Sequence, residues 1–308
     1  MDRFPIKDDT EFDSVMEEID RQCQQRGEQI IGRELRLWME FCKKYQLVVA
    51  SKVSTAHPAQ PNVYTIFNFE NHIMNWARNR YGTRLGLDPS WGYFATMIKG
   101  DAWLVRVPMI MGNVSLTVVT DIELAQPPNI LNLLTMIKGL TPHAAHLLTE
   151  EEVQSIKQMF LVHFDIHNLL VRANIASDSL AAIAALDLTS GAKRVVSDRR
   201  ELGAARFDAL QAAEKFLKHF IQAKGHGFER NHVLSELSKT ATSSGLTGAY
   251  DSLIADAQTS GGSRYGEKSH TVPEVVKALD AAAVIGRNVM AQLYASSANV
   301  PLVSTAFP

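Results

Sequence analysis

The sequence predicts an α+β fold in two parts, an N-terminal domain with a small antiparallel sheet and helices, then an antiparallel helical bundle. Three observations carry this expectation. The β-prone runs Tyr93 to Ile98, Ala102 to Val107 and Val114 to Val119 are joined by turns at Lys99-Gly100-Asp101 and around Met111-Gly112-Asn113, short enough to require antiparallel pairing. On both sides of these runs, apolar residues recur at intervals of three and four, the helix period. A chain of 308 residues exceeds one minimal domain and suits two. The expected division is an α+β domain over 1–148, a connecting helix over 149–175, a helical domain over 176–298 and a loose tail over 299–308.

Taken in order, Thr10 to Tyr45 shows helical spacing through Phe12, Val15, Ile19, Ile30, Ile31, Leu35, Trp38 and Met39, and reads as two helices parted near Gly27 or bent at Gly32. Leu47 to Ala50 is a short β-prone run, followed by a loop over His57 to Pro61. Asn68 to Tyr81 returns to helical spacing and is expected to pack on the sheet that comes next. After the three strands, Pro127 and Pro128 end the sheet, and Ile130 to Lys138 reads as a short helix. Thr149 followed by Glu152 is a capping box that starts a helix running to about Ala173. Helices are then expected from Asp178 to Asp187, broken at Thr189-Ser190-Gly191, through a long segment containing Arg206 to Lys224, and over Leu246 to Gln258 and Pro273 to Tyr294.

The apolar share of 46% and charged share of 21% are those of a chain with a sizeable core. A net charge near −2 excludes bulk attraction to nucleic acid, so any RNA contact must use a local patch. Cys23 and Cys42 are the two cysteines and form no CxxC or zinc spacing, which fits a reducing cytoplasm. The first residues lack a signal-peptide apolar run, and no stretch of membrane-spanning length occurs, so a cytoplasmic protein without membrane attachment is expected.

Several groups could carry chemistry. Arg264 and His270 are separated by five residues just before a helix start at Val272-Pro273-Glu274. A histidine can take a proton from a ribose 2′-hydroxyl near neutral pH, and a guanidinium can neutralise the phosphate in the transition state. His163 and His167 lie one helical turn apart, with His143 and His146 upstream, but no third-ligand motif or general-base Glu accompanies them, so they read as half-buried histidines and no metal is assigned. Lys193, Arg194, Arg199 and Arg200 form the densest basic run. Arg206, Lys215, Lys218 and Lys224 read as a solvated face, and Trp76, Arg78, Arg80, Tyr81 and Arg84 as core aromatics with arginines at the rim. Rossmann, P-loop and nucleophile-elbow patterns are missing, and no cofactor is assigned.

The run AARFDALQAAEKFLKHFIQAKG from Ala204 to Gly225, the His232-Val233 step opening a further helix, and Arg264-Tyr265-Gly266-Glu267-Lys268-Ser269-His270 together resemble a HEPN domain, over roughly the last 130 residues from about Asp178. The resemblance implies a HEPN-like helical bundle that works as a homodimer. It implies binding of a nucleotide, nucleic acid or separate partner protein, with Arg264, Tyr265, Lys268 and Glu214 as ligand-binding candidates and the N-terminal domain as a sensor or specificity module. It equally offers a metal-independent ribonuclease of toxin or antiviral type, with His270 as base and Arg264 as phosphate clamp. Arg264-Tyr265-Gly266 looks more like the Arg-Tyr-Pro of members that have lost cleavage, and favours binding. His232 is expected to hydrogen-bond inside the bundle, and Glu214 and Lys215 to support Arg264 or to lie on the helix surface.

Overall fold

A computed structural model describes residues 4–47, 59–66, 68–85, 90–110, 114–124, 130–228 and 232–295. The backbone divides into two compact units, Met1–Asp88 and Pro89–Pro308.

The first unit contains α1 (Asp9–Gln25), α2 (Arg33–Tyr45) and α3 (Phe69–Tyr81). Asp8 caps α1 by accepting a bond from the Glu11 amide, and left-handed Gly27 and Gly32 part α1 from α2 as the sequence predicts. The amphipathic faces bury Phe12, Met16, Leu37, Phe41, Phe69 and Ile73 in one core, where the Phe41 and Phe69 rings stack 5.5 Å apart. The apolar face of α3, expected to cover the sheet, is used in this core. A fully buried Asp20 is neutralised by Arg33 at 3.1 Å and by Arg80 at 3.3 Å, and accepts the Tyr81 hydroxyl. Arg80 also lies over the Trp76 ring at 5.1 Å, so this aromatic and cationic set holds the unit together, in line with the core-and-rim reading. Residues 48–50 of the β-prone run and 57–58 of the loop lie outside the described residues, as does the tail.

In the second unit, β1 (Ser90–Ile98) and β2 (Asp101–Pro108) form an antiparallel hairpin with Tyr93 opposite Arg106 and Thr96 opposite Trp103. Its two-residue turn places Lys99 at φ 51° and Gly100 at φ 87°, the backbone that matches strand twist. The third predicted strand does not join this hairpin. Residues 115–117 form β3 (Ser115–Thr117), which pairs in parallel with β4 (Ile130–Asn132) in a separate sheet. The Asn132 amide locks that arrangement, donating to the Val119 carbonyl at 2.7 Å and accepting from its N–H at 3.2 Å. The helix expected over 130–138 is therefore a strand and a 3-10 turn, Leu133–Met136. Ile137 then bridges to Val105, and the Lys138 amide donates to the Leu104 carbonyl at 2.8 Å, so this segment occupies the β2 edge where a third strand was expected.

Helices follow as α4 (Pro142–His146), α5 (Glu150–Arg172), α6 (Leu180–Ser197), α7 (Leu202–Ala223), α8 (Leu234–Ser243), α9 (Asp251–Ala257) and α10 (Val272–Tyr294). The capping box at Thr149 and Glu152 is present, and the second oxygen of Glu152 accepts the Lys99 amide of the hairpin turn at 2.7 Å. The hairpin, α5 and the later helices share one apolar core, so α5 is not a linker, and the hairpin groups with the helices that follow it and not with residues 1–88. α6, α7 and α10 pack closely through Ala184, Ala192, Ala205, Ala209, Ala212 and Ala282. The break expected at Thr189-Ser190-Gly191 does not occur. A Cβ at Gly191 would come within 2.6 Å of Leu279 and 3.3 Å of the Ala205 carbonyl, so this glycine admits neighbouring helices. The helix expected from Leu246 begins at Asp251, with Leu246 buried in the preceding loop.

Candidate functional site

Arg264 and His270 lie on the loop between α9 and α10, which a 3-10 turn over Gly261–Tyr265 tightens. Ser263 is completely buried, its hydroxyl bonded to Thr259 Oγ1 at 2.6 Å and to His270 Nε2 at 3.1 Å. The Ser263 carbonyl approaches Gly203 so closely that a Cβ there would lie 2.2 Å from it. Thr271 and Glu274 form a second capping box that starts α10 immediately after His270. The loop is thus fixed at a buried serine and at a helix start, with His270 between them.

Arg264 is exposed, and its guanidinium lies over the Phe207 ring of α7 at 5.7 Å. Its charge acts on Asp208, although burial dominates there and lifts that carboxyl to about 6. Asp208 approaches Arg194 at 3.4 Å without hydrogen-bond geometry. His270 feels other groups. Burial lowers its pKa first, then the positive charges of Arg206 and Lys268, with Glu274 opposing them. Tyr265, 79% exposed, and Lys268 stand on the outer side of the loop. Gly266 has φ +77°, a conformation closed to proline, so the Arg-Tyr-Gly segment follows a backbone that Arg-Tyr-Pro could not.

Glu214 does not support Arg264. It is buried on α7, paired with Lys218 at 2.6 Å and His232 Nδ1 at 2.7 Å. Lys215 pairs with Asp187 across α6 and α7 at 2.5 Å. His232 makes the expected hydrogen bond, but its ring is largely exposed. The solvated face expected on α7 is corrected for two members, since Lys218 is buried with Glu214 and Arg206 is buried at the end of α9. Arg206 donates there to the carbonyls of Asp256, Ala257 and Gln258 at 2.6 to 2.9 Å.

His163 and His167 face the hairpin and are buried. His163 stacks on Phe94 with centroids 4.9 Å apart, and burial lowers the two rings to about 3 and about 4. Asp165 between them pairs with Arg287 of α10 at 2.7 Å. Among the described residues no three His, Cys, Asp or Glu side chains are grouped as metal ligands would be, and no helix is long and apolar enough to cross a membrane.

His270 also lines an open cleft of about 720 Å³ bounded by the hairpin tip, the C-terminal end of α6 and the first turn of α10. The half-buried Trp103, Asp101, Asp198 and Arg199 line it with His270. Asp198 is engaged by Arg200 at 2.6 Å, whereas Arg199 makes no ion pair among the described residues. Sequence reading missed Trp103, whose place in a strand marked it as sheet, and Ser263, whose Gly-Gly-Ser setting marked a surface loop. Comparisons with protein-family models, curated proteins and solved structures gave no match.

Proposed function

We propose that this chain binds a nucleotide or a short single-stranded RNA in the cleft between the hairpin tip and the start of α10, as a HEPN-type binding protein and not as a nuclease. The supporting observation is the separation of duties between His270 and Arg264. The first faces the cleft and Ser263, and the second lies over Phe207 beside Asp208, whereas cleavage requires base and phosphate clamp at one phosphate. Trp103 offers a face for a base, Arg199 a guanidinium with no ion pair among the described residues for a phosphate, and His270 an uncharged ring for hydrogen bonding. In this reading the first unit is the sensor or specificity module, and the homodimer follows from the HEPN resemblance. One observation favours the ribonuclease alternative: the lowered pKa keeps His270 unprotonated at neutral pH, as a base must be, and a second copy would bring Arg264.

Calorimetric titration with AMP and with hexauridylate tests the proposal. Wild type binds, Trp103→Ala and Arg199→Ala each weaken binding about tenfold or more, and Arg264→Ala leaves it unchanged. No heat of binding with either ligand overturns the reading. Cleavage of end-labelled RNA in EDTA to 2′,3′-cyclic phosphate ends, lost in Arg264→Ala and His270→Ala, establishes the alternative instead.

A further inference from the structure

Away from the loop that carries Arg264, two lysines from different segments converge on one side chain of the hairpin, and an arginine stands opposite it in the register. Lys193 Nζ, from α6, lies 4.6 Å from the centre of the Tyr93 ring, and Lys138 Nζ, from the segment bridging the β2 edge, lies 5.6 Å from it. Arg106 stands directly opposite Tyr93 in the β1–β2 register, so both side chains leave the same face of the hairpin. The Arg106 guanidinium approaches the Met136 sulfur at 3.5 Å, which turns it toward the segment that carries Lys138. Tyr93 itself is 5% exposed and forms a floor, while both lysine side chains are exposed.

The charge balance sets this cluster apart from the cations flanking it in sequence and on α7. Arg194 and Arg200, neighbours of Lys193 in the basic run, are matched by Asp208 and Asp198. Lys215 and Lys218 are matched by Asp187 and Glu214. Arg106, Lys138 and Lys193 have no carboxylate partner among the described residues. An aromatic face attracts each cation weakly but does not cancel their mutual repulsion, which an anion between them would relieve. Two ammonium groups and a guanidinium around a hydroxylated aromatic floor suit a phosphate group, which accepts several charge-assisted hydrogen bonds at once.

We infer that Arg106, Lys138 and Lys193 form a phosphate-binding site over Tyr93, distinct from the cleft. Tyr93 and Trp103 leave opposite faces of the hairpin in the observed register, so the two sites lie on opposite sides of it. The phosphate comes either from a small phosphate compound or from the backbone of a nucleic-acid strand, and two probes separate these sources.

Inorganic pyrophosphate is titrated calorimetrically, and labelled hexauridylate by fluorescence anisotropy at several salt concentrations. The proteins compared are the wild type, the double variant Lys138→Gln/Lys193→Gln and the charge-matched control Lys43→Gln/Lys44→Gln. All four substituted lysines are exposed, so equal thermal midpoints are required of the three proteins. The expected result is a loss of about tenfold or more in the first double variant alone, with a salt slope for the hexamer lower by about 1 to 1.5, as follows from two lost phosphate contacts. Loss for both probes identifies a site that accepts free phosphate, and loss for the hexamer alone identifies backbone phosphates. Equal binding by both double variants, or no binding of either probe by wild type at low salt, overturns the site. Trp103→Ala retains pyrophosphate binding, so failure here and failure of the cleft reading, which AMP reports, are separable.

Discussion

His270 Nε2 and Ser263 Oγ lie 3.1 Å apart, joining a half-exposed imidazole to a hydroxyl with no access to solvent. The serine is itself held by Thr259, so the ring is oriented by a short chain of hydrogen bonds inside the loop. Its pKa is lowered from 6.5, chiefly by burial and then by Arg206 and Lys268. An NMR pH titration of the His270 ring should therefore show a midpoint below 6.5, and Lys268→Glu should move it upward. The linked contribution to stability is fully present above pH 6.5 and is lost as pH falls through the folded value.

Gly203→Ala should dislodge the same loop from a distance. The added methyl would meet the Ser263 carbonyl, a backbone atom, so relief requires movement of the 3-10 turn or of the α7 start. A loss of about 1 to 3 kcal/mol is expected from overpacking of this kind. Chemical denaturation measures it, and an altered His270 resonance would show that the loop moved.

Arg206→Ala should cost more than an exposed arginine on the same helix. Its guanidinium satisfies the carbonyls of Asp256, Ala257 and Gln258, and truncation leaves buried acceptors without donors. A loss of about 2 to 4 kcal/mol is expected, with little recovery in Arg206→Lys because an ammonium cannot reproduce the planar fork. Urea titration of both variants checks this, and a midpoint equal to wild type would contradict it.

His163 and His167 predict the acid limb of stability. Their rings are uncharged when folded, held to about 3 and about 4, while an unfolded chain takes up protons on both near 6.5. Stability is fully present above 6.5 and falls by several kcal/mol on acidification toward pH 4. His163→Phe, which keeps a ring against Phe94, should flatten that limb in urea melts at pH 7, 6, 5 and 4.

Burial moves one group the other way. The Asp280 carboxyl on α10, though not wholly closed off from solvent, is pushed up to about 7. Its contribution is fully present below 3.8 and is lost as pH rises through 7. Asp280→Asn should accordingly raise the thermal midpoint more at pH 8 than at pH 5.

Local signals in the sequence located most helices because their determinants are adjacent along the chain. Thr149 and Glu152, three residues apart, define the start of α5 without reference to anything else. Tertiary determinants left no such mark. Gly191 has the composition of a break, and only the approach of Leu279 and Ala205 reveals why a helix continues through it. The run after Met111 has strand composition, but its partner, β4, follows two prolines and has the spacing of a helix, so the pairing is hidden in the sequence. For the site, Arg264 and His270 could be singled out by type and spacing. Which way each side chain turns depends on Phe207 and Ser263, and Ser263 is tied in turn to Gly203, a residue 60 positions away. Glu214 has the sequence setting of a surface charge, and its burial is revealed by a partner beyond the end of α7, His232.

The carboxylate of Glu152 closes the first turn of α5 with one oxygen and holds the Lys99 amide with the other. Gly100 and Asp101, the next two residues, form the rim of the cleft. The mouth of the cleft is therefore latched by a residue some fifty positions further on, in a helix outside the lining of the cleft. Glu152→Gln would keep the helix start but weaken the latch. Faster deuterium uptake at the Lys99 amide, on an otherwise unchanged α5, would register as a looser doorway to an intact room.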